Sequence, residues 1–111
     1  MVTSSLLEAE KRLLGLISQS KKLYKMSSAQ IKADEFATDV YRRLAKSMYD
    51  SYENGMSPDP AMMLNDFSND DLSEASEVFY NLEVYSGDEE TVKELLYTIK
   101  LEKLNMRINA E

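Results

Sequence analysis

The amino-acid sequence predicts an all-α fold, a bundle of five to seven helices that ends in a long helix. Apolar residues recur at spacings of three and four along most of the chain, the period of an amphipathic helix. No hairpin dipeptide joins two alternating segments, because the one Asn-Gly pair, Asn54-Gly55, lies at the end of a helical pattern. Residues that typically begin and end helices separate the periodic segments. These three observations favour helices with short connections packed around one core.

The composition is that of one small domain without thiol or imidazole chemistry. The chain has 111 residues, of which 43% are hydrophobic and 30% charged, which is enough to form a core. It contains no cysteine and no histidine, which excludes disulfides, zinc-thiolate sites and Ser-His-Asp catalysis. Its three glycines are isolated, so no phosphate-binding glycine-rich loop is expected. We therefore expect a noncatalytic domain with no metal and no cofactor.

Hydropathy and charge limit the possible partners. No apolar run reaches the roughly 18 residues of a membrane span, and no apolar signal segment begins the chain, so a cytoplasmic location and no membrane partner are expected. The net charge of −7 is uneven, since residues 61–111 carry four Lys/Arg against twelve Asp/Glu. Because acidic surfaces repel phosphate groups, we expect no direct nucleic-acid binding.

Capping residues predict the helices of the first half. Ser5 begins a Ser-x-x-Glu capping box, which predicts a first helix over about 6–19. A shorter helix is expected over about 21–26, followed by an irregular connection. Thr38 is the predicted N-cap of the most strongly periodic helix, over about 39–54.

The second half contains two shorter predicted helices before the last one. Asp59 and Pro60 are typical of an N-cap and first helical position, and they predict a helix over about 61–67. A further helix is expected over about 71–82, with Leu72 on its buried side.

The final predicted helix, from about residue 88 to near the terminus, changes its apolar face halfway along. The first stripe consists of Val92, Leu95, Leu96 and Ile99, and the second of Tyr97, Leu101, Leu104 and Ile108. At roughly 100° per residue the two stripes point roughly 165° apart. One stripe is enough to close a bundle, so the other predicts a partner, unless the bundle wraps around it. The predicted partner-binding residues are Tyr97, Leu101, Leu104, Ile108 and the neighbouring Lys100.

A basic row provides a competing interpretation. Arg42, Arg43 and Lys46 lie on the polar side of the helix over 39–54, and Tyr24 adds an aromatic side chain that could accompany them. A solvated helix face is the favoured interpretation, because the chain as a whole is acidic.

Three segments in a fixed order carry a resemblance to a known family. They are EKRLLGLI at 10–17, DEFATDVYRRL at 34–44 followed by YENG at 52–55, and PDPAMML at 58–64 followed by DDL at 70–72. In order and spacing they resemble the C-terminal helicase-binding domain of bacterial DnaG-type DNA primase.

The resemblance implies a noncatalytic module of the primosome that docks on the N-terminal tier of the replicative hexameric helicase. The parent protein would then be a primase, a nucleotidyltransferase. Residues 1–87 would form the helical bundle, and residues 88–111 the start of a long joining helix packed on it. The chain would stop before the family's C-terminal helical hairpin, and the exposed second stripe would allow a weak homodimer.

The same pattern resembles, more loosely, the N-terminal domain of the DnaB-type replicative helicase. That alternative implies an oligomerisation domain that pairs into a collar. Three features favour the primase domain over the helicase domain: Phe36, the Tyr-Arg-x-Leu motif at 41–44 and the long final helix.

Overall fold

A computed structural model of the protein describes residues 2–80 and 88–110, with side chains described as far as Ile108. Within these ranges the chain is helical and contains no strand. The helices are α1 (Ser4–Gln19), α2 (Lys21–Ser28), α3 (Asp39–Glu53), α4 (Pro60–Leu64), α5 (Asn69–Tyr80) and α6 (Glu89–Ala110), with a 3₁₀ turn at Ala33–Glu35. The predicted all-α fold with a long last helix is confirmed.

The core lies between α1, α3 and α6, with α2 and α5 packed around them. α1 contributes a wide apolar face on which Leu13, Leu14 and Ile17 are fully buried, and Leu44 and Met48 of α3 are buried equally completely. α1 and α6 run in opposite directions, because Thr3 at the start of α1 contacts Glu102 near the end of α6. This antiparallel pair makes the most extensive helix-helix contact of the fold and fixes the orientation of α6.

Three predicted helix ends are confirmed by backbone geometry. The Thr38 hydroxyl caps α3 by accepting the Tyr41 N–H at 3.0 Å. Asp59 accepts the Ala61 N–H at 3.0 Å ahead of Pro60, the first residue of α4. Gly55 follows α3 with a φ of 74°, the left-handed conformation that glycine adopts without strain.

Other local predictions are wrong. Thr3, not Ser5, is the N-cap of α1, since Thr3 has extended backbone and its hydroxyl accepts the Leu6 N–H at 3.1 Å. Ser5 already lies inside the helix. α4 ends at Leu64, three residues earlier than expected.

The predicted buried side of α5, with Leu72, Ala75, Phe79 and Leu82, is confirmed at Ala75 and Phe79 and is wrong at Leu72. α5 begins at Asn69 and buries Ala75 and Val78, whereas Leu72 is 38% exposed instead of lying in the core. α5 packs against both α1 and α3, and Leu72, in its first turn, lies at the edge of this contact. The predicted end of this helix at residue 82 lies outside the described residues.

A cluster of three tyrosines joins α2 to α3. Tyr24 stacks on Tyr52 with ring centroids 4.6 Å apart and meets Tyr49 edge-on at 5.1 Å. The Tyr49 hydroxyl donates to the Ile31 carbonyl at 2.9 Å, and the Tyr52 hydroxyl to the Ile17 carbonyl at 2.6 Å. Burial raises the pKa of both phenols, which keeps them protonated as donors.

Candidate protein-interaction surface

The first half of α6 is part of the core. Its inner stripe is buried and consists of Val92, Leu95, Leu96 and Ile99. Asp88 begins the helix, because its carboxylate accepts the Thr91 N–H at 3.2 Å, and this bond lowers the pKa of Asp88. An ion pair between Glu89 and Lys22 of α2 adds a second contact at this end. The start of α6 is therefore held by both apolar and polar contacts.

The second half of α6 faces the bundle with polar groups. The Thr3 hydroxyl donates to the Glu102 carboxylate at 3.0 Å, and the Lys103 ammonium donates to the Glu35 carbonyl at 2.6 Å. Among the side chains described for this half, Met106 is the apolar one that packs against the core, and it is only partly buried. These contacts fix the rotation of the helix about its axis beyond Ile99.

The remaining described apolar residues of the second half, together with Tyr97 just before it, face away from the bundle. They form the outer stripe, which consists of Tyr97 (68% exposed), Leu101 (42%), Leu104 (52%) and Ile108 (63%). Lys100 is exposed beside them. The structure thus brings all five predicted partner-binding residues to one accessible side of α6, where no described helix covers them. An apolar row on one helix side is a typical contact surface for another protein.

A buried carboxyl lies beneath the segment that contacts the second half of α6. Glu10 of α1 is fully buried, and its Oε1 accepts the Ala37 N–H at 2.8 Å. Desolvation raises the pKa of Glu10, opposed by this hydrogen bond and by the charges of Lys103 and Arg42. Arg42 also donates to the Phe36 carbonyl at 3.0 Å. Side chains of α1, α3 and α6 therefore hold the backbone between the 3₁₀ turn and α3.

The helical pattern of the sequence does not predict this role of Glu10, although the position of Glu10 is an indication of it. Glu10 lies four residues after Leu6 and three before Leu13, within the apolar side of α1. A carboxylate at such a position is buried when the fold supplies a donor. The donor here is a backbone N–H of a distant loop, which helical periodicity does not locate.

The basic residues of α3 contact carbonyl and carboxylate groups of the same chain. Arg43 donates to the Asp66 carbonyl at 2.8 Å, lies 3.8 Å from the Asp39 carboxylate and covers the Phe67 ring at 4.3 Å. Lys46 is 3.6 Å from Asp50.

Tyr24, the predicted aromatic companion of the basic row, is buried in the tyrosine cluster. Its ring is therefore not accessible for stacking on a nucleotide base. The favoured interpretation of this row as a solvated helix face agrees with these contacts.

The clefts of the described structure carry no convergent chemistry. The cleft beside the 3₁₀ turn and α3, about 490 Å³, is open to solvent and combines three basic with three acidic side chains. Residues 2–80 and 88–110 contain no group of acidic residues placed to hold a metal ion. No described helix is long and apolar enough to span a bilayer.

Taken together, the fold and the outer stripe define a small helical domain with one helix side available for packing against another protein. The family model of the DnaB-like helicase N terminal domain matches residues 2–101 of this chain. The chain therefore belongs to the DnaB-like helicase N-terminal domain family. Comparisons with curated proteins and with solved structures find no significant match.

This family membership corrects the principal prediction from the sequence. The assignment to a primase helicase-binding domain is wrong, and with it the inferred parent primase and its place in the primosome. The looser resemblance, to the N-terminal domain of the DnaB-type helicase, is the one that the family match supports.

Proposed function

We propose that this chain is the N-terminal interaction domain of a DnaB-type replicative helicase, a noncatalytic module that acts in the bacterial cytoplasm during DNA replication. In this proposal residues 1–87 form a bundle that holds the long helix in place, and residues 88–111 present its outer side. The partner is a helix of the replication machinery that packs along Tyr97, Leu101, Leu104 and Ile108, with Lys100 at the edge of the contact.

The observation that carries this proposal is the reversed polarity of the second half of α6. Glu102 and Lys103 point toward the bundle, whereas Leu101 and Leu104 point toward solvent. A helix that only covered its own core would have the opposite arrangement. Full burial of each exposed leucine or isoleucine against a partner contributes about 1.5–3 kcal/mol before ordering costs.

Helicase assembly tests the proposal. The isolated chain, added in excess to the DnaB-type helicase of the same cell, is expected to compete for the domain's contacts and reduce oligomer formation. Leu104→Ser is expected to abolish this competition. Met62→Ser provides the matched control, because Met62 is an exposed apolar residue on α4, away from the outer stripe. Equal competition by both variants, or none by the unaltered chain, would contradict the proposal.

Weak self-association through the same stripe is a second candidate. It is favoured by the length of the stripe, four apolar residues over 97–108 with no cover among the described residues. Sedimentation velocity over a concentration series measures it directly. Dimers that Leu104→Ser removes and Met62→Ser retains would support it, and a monomer throughout would eliminate it.

A further inference from the structure

α5 is an acidic helix that lies apart from the outer stripe of α6. It carries four acidic residues and no lysine or arginine: Asp70, Asp71, Glu74 and Glu77. Asp71 lies 3.9 Å from Arg43, whereas the other three form no ion pair with a described residue. α5 packs against α1 and α3, and α6 packs against α1 and α2. The negative charge of α5 is therefore largely uncompensated and separate from the surface described above.

Tyr41 of α3 is buried beneath the acidic residues of α5. It is 5% exposed, and its hydroxyl forms no hydrogen bond with a described residue. Burial raises the pKa of Tyr41, and so do the charges of four carboxyl groups, those of Glu74, Glu77, Glu10 and Glu8. Because the effect of a charge weakens with distance, these carboxyls lie around the phenol oxygen. Carboxyl groups of α1 and α5 thus converge on one hydroxyl of α3.

The lack of a hydrogen-bond partner distinguishes Tyr41 from the other buried tyrosines of α3. Tyr49 and Tyr52 each donate to a backbone carbonyl. Buried polar groups are nearly always hydrogen-bonded, so a buried hydroxyl without a partner among the described residues points to a partner outside them. Glu10 adds a second such group, because its Oε2 is buried and accepts no hydrogen bond from a described residue. The hydrogen bonding of this region is therefore incomplete within the described part of the chain.

The carboxyl groups around Tyr41 differ in how far the fold already engages them. The Thr38 hydroxyl donates to the Glu74 carboxylate at 2.9 Å, which holds Glu74 at the start of α3. Glu8 of α1 pairs with Lys11 at 2.9 Å, so its charge is partly compensated. Glu74 is half-buried and Glu77 is exposed. The accessible and uncompensated carboxylates are therefore those of Glu74 and Glu77.

We propose that Glu74, Glu77 and the Tyr41 hydroxyl form an acidic site that binds an arginine side chain in a basic segment of a partner protein. All three groups accept hydrogen bonds, and a guanidinium supplies five donors in a planar fork and is always charged. The described residues contain no group of acidic side chains placed to hold a metal ion, which favours a larger organic cation. The other carboxylates of α5 attract further positive charge, so the segment carries more than one basic residue. The acidic site depends neither on the outer stripe nor on the proposed function.

Three short unstructured peptides test the proposal. Each contains one tryptophan and alternates serine with arginine, with lysine or with glutamine. The chain contains no tryptophan, so the fluorescence anisotropy of that residue reports the peptide alone. At low salt the arginine peptide is expected to bind about tenfold more tightly than the glutamine peptide and about threefold more tightly than the lysine peptide. Added salt should weaken this binding. Equal binding of the arginine and glutamine peptides would overturn the proposal, and equal binding of the arginine and lysine peptides would overturn the assignment of arginine.

Matched variants distinguish the acidic site from a general attraction between an acidic protein and a basic peptide. Glu77→Gln and Tyr41→Phe are each expected to weaken binding of the arginine peptide by about threefold to fivefold. Glu53→Gln is the control, because it makes the same change of charge at an exposed position of α3 that has no ion pair with a described residue. Equal weakening by Glu77→Gln and Glu53→Gln would mean that the peptide responds only to the net charge of −7, and would overturn the site.

Stability and ligand size provide two further checks. Because the Tyr41 hydroxyl has no partner among the described residues, Tyr41→Phe should leave the urea midpoint of unfolding unchanged. A fall in that midpoint together with the loss of binding would show that the hydroxyl serves the fold, and would overturn its role in recognition. Spermine that binds as tightly as the arginine peptide and is weakened equally by Glu77→Gln would identify a small polyamine as the occupant and overturn the protein partner.

Discussion

The inner and outer stripes of α6 each contain four apolar residues and point to opposite sides of the helix. The inner stripe points into the bundle and consists of Val92, Leu95, Leu96 and Ile99. The outer stripe points away from it and consists of Tyr97, Leu101, Leu104 and Ile108. Both halves are regular helix, so helix propensity does not distinguish them. The comparison separates residues that stabilise the domain from residues available for contact. The predictions below test this division, beginning with the largest expected effect.

The inner stripe should dominate stability. Leu96 is 3% exposed, so Leu96→Ala leaves a cavity between α6 and α1 and is expected to reduce the free energy of unfolding by about 2–5 kcal/mol. Urea unfolding followed by circular dichroism measures this loss. A change below about 0.5 kcal/mol, typical of surface positions, would show that α6 does not close the core in solution.

Glu10 should couple stability to pH. Because burial raises its pKa above the usual value of 4.5, the folded protein holds this proton more tightly than the unfolded chain does. Its contribution to stability is then fully present below pH 4.5 and declines as pH rises through the folded-state pKa. Glu10→Gln removes this titration and keeps an oxygen for the Ala37 N–H.

Urea unfolding across a pH series compares this variant with the unaltered protein. The stability of the unaltered protein relative to Glu10→Gln is expected to fall as the pH rises from 4.5 through the folded-state pKa of Glu10. Glu10→Ala also removes the acceptor, and it should cost about 1–3 kcal/mol at any pH. A pH-independent difference between the unaltered protein and Glu10→Gln would show that folding does not raise the pKa of Glu10.

Lys103 should hold the second half of α6 without affecting the first. Lys103→Met removes the hydrogen bond to the Glu35 carbonyl, which is expected to cost about 0.5–1.5 kcal/mol. Amide hydrogen exchange should accelerate over residues 100–108 and remain unchanged over 92–99. Lys100→Met is the matched control, because Lys100 is exposed and forms no ion pair among the described residues. The same exchange pattern in both variants would argue against a specific role for Lys103.

The sequence was sufficient to predict the features of this fold that depend on local periodicity. The predicted caps at Thr38 and Asp59 and the opposed stripes of α6 depend on residues within a few positions of each other, and these agree with the structure. The burial of Glu10 and the exposure of Leu72 depend on the close approach of distant segments. A single sequence does not give the contacts between distant segments. It therefore does not determine that Leu72 of α5 stays exposed, nor which backbone N–H reaches Glu10.

The outer stripe should contribute least to the stability of the isolated domain. Leu104 is 52% exposed and is not among the residues that pack against the core, so Leu104→Ala is expected to change the free energy of unfolding by less than about 0.5 kcal/mol. The measurement must be made at low protein concentration, because self-association would add a contribution from the contact itself. A loss as large as that of Leu96→Ala under those conditions would mean that the stripe packs within its own chain. The small effect on folding, combined with loss of the competition in helicase assembly, is the result that assigns Leu104 to recognition.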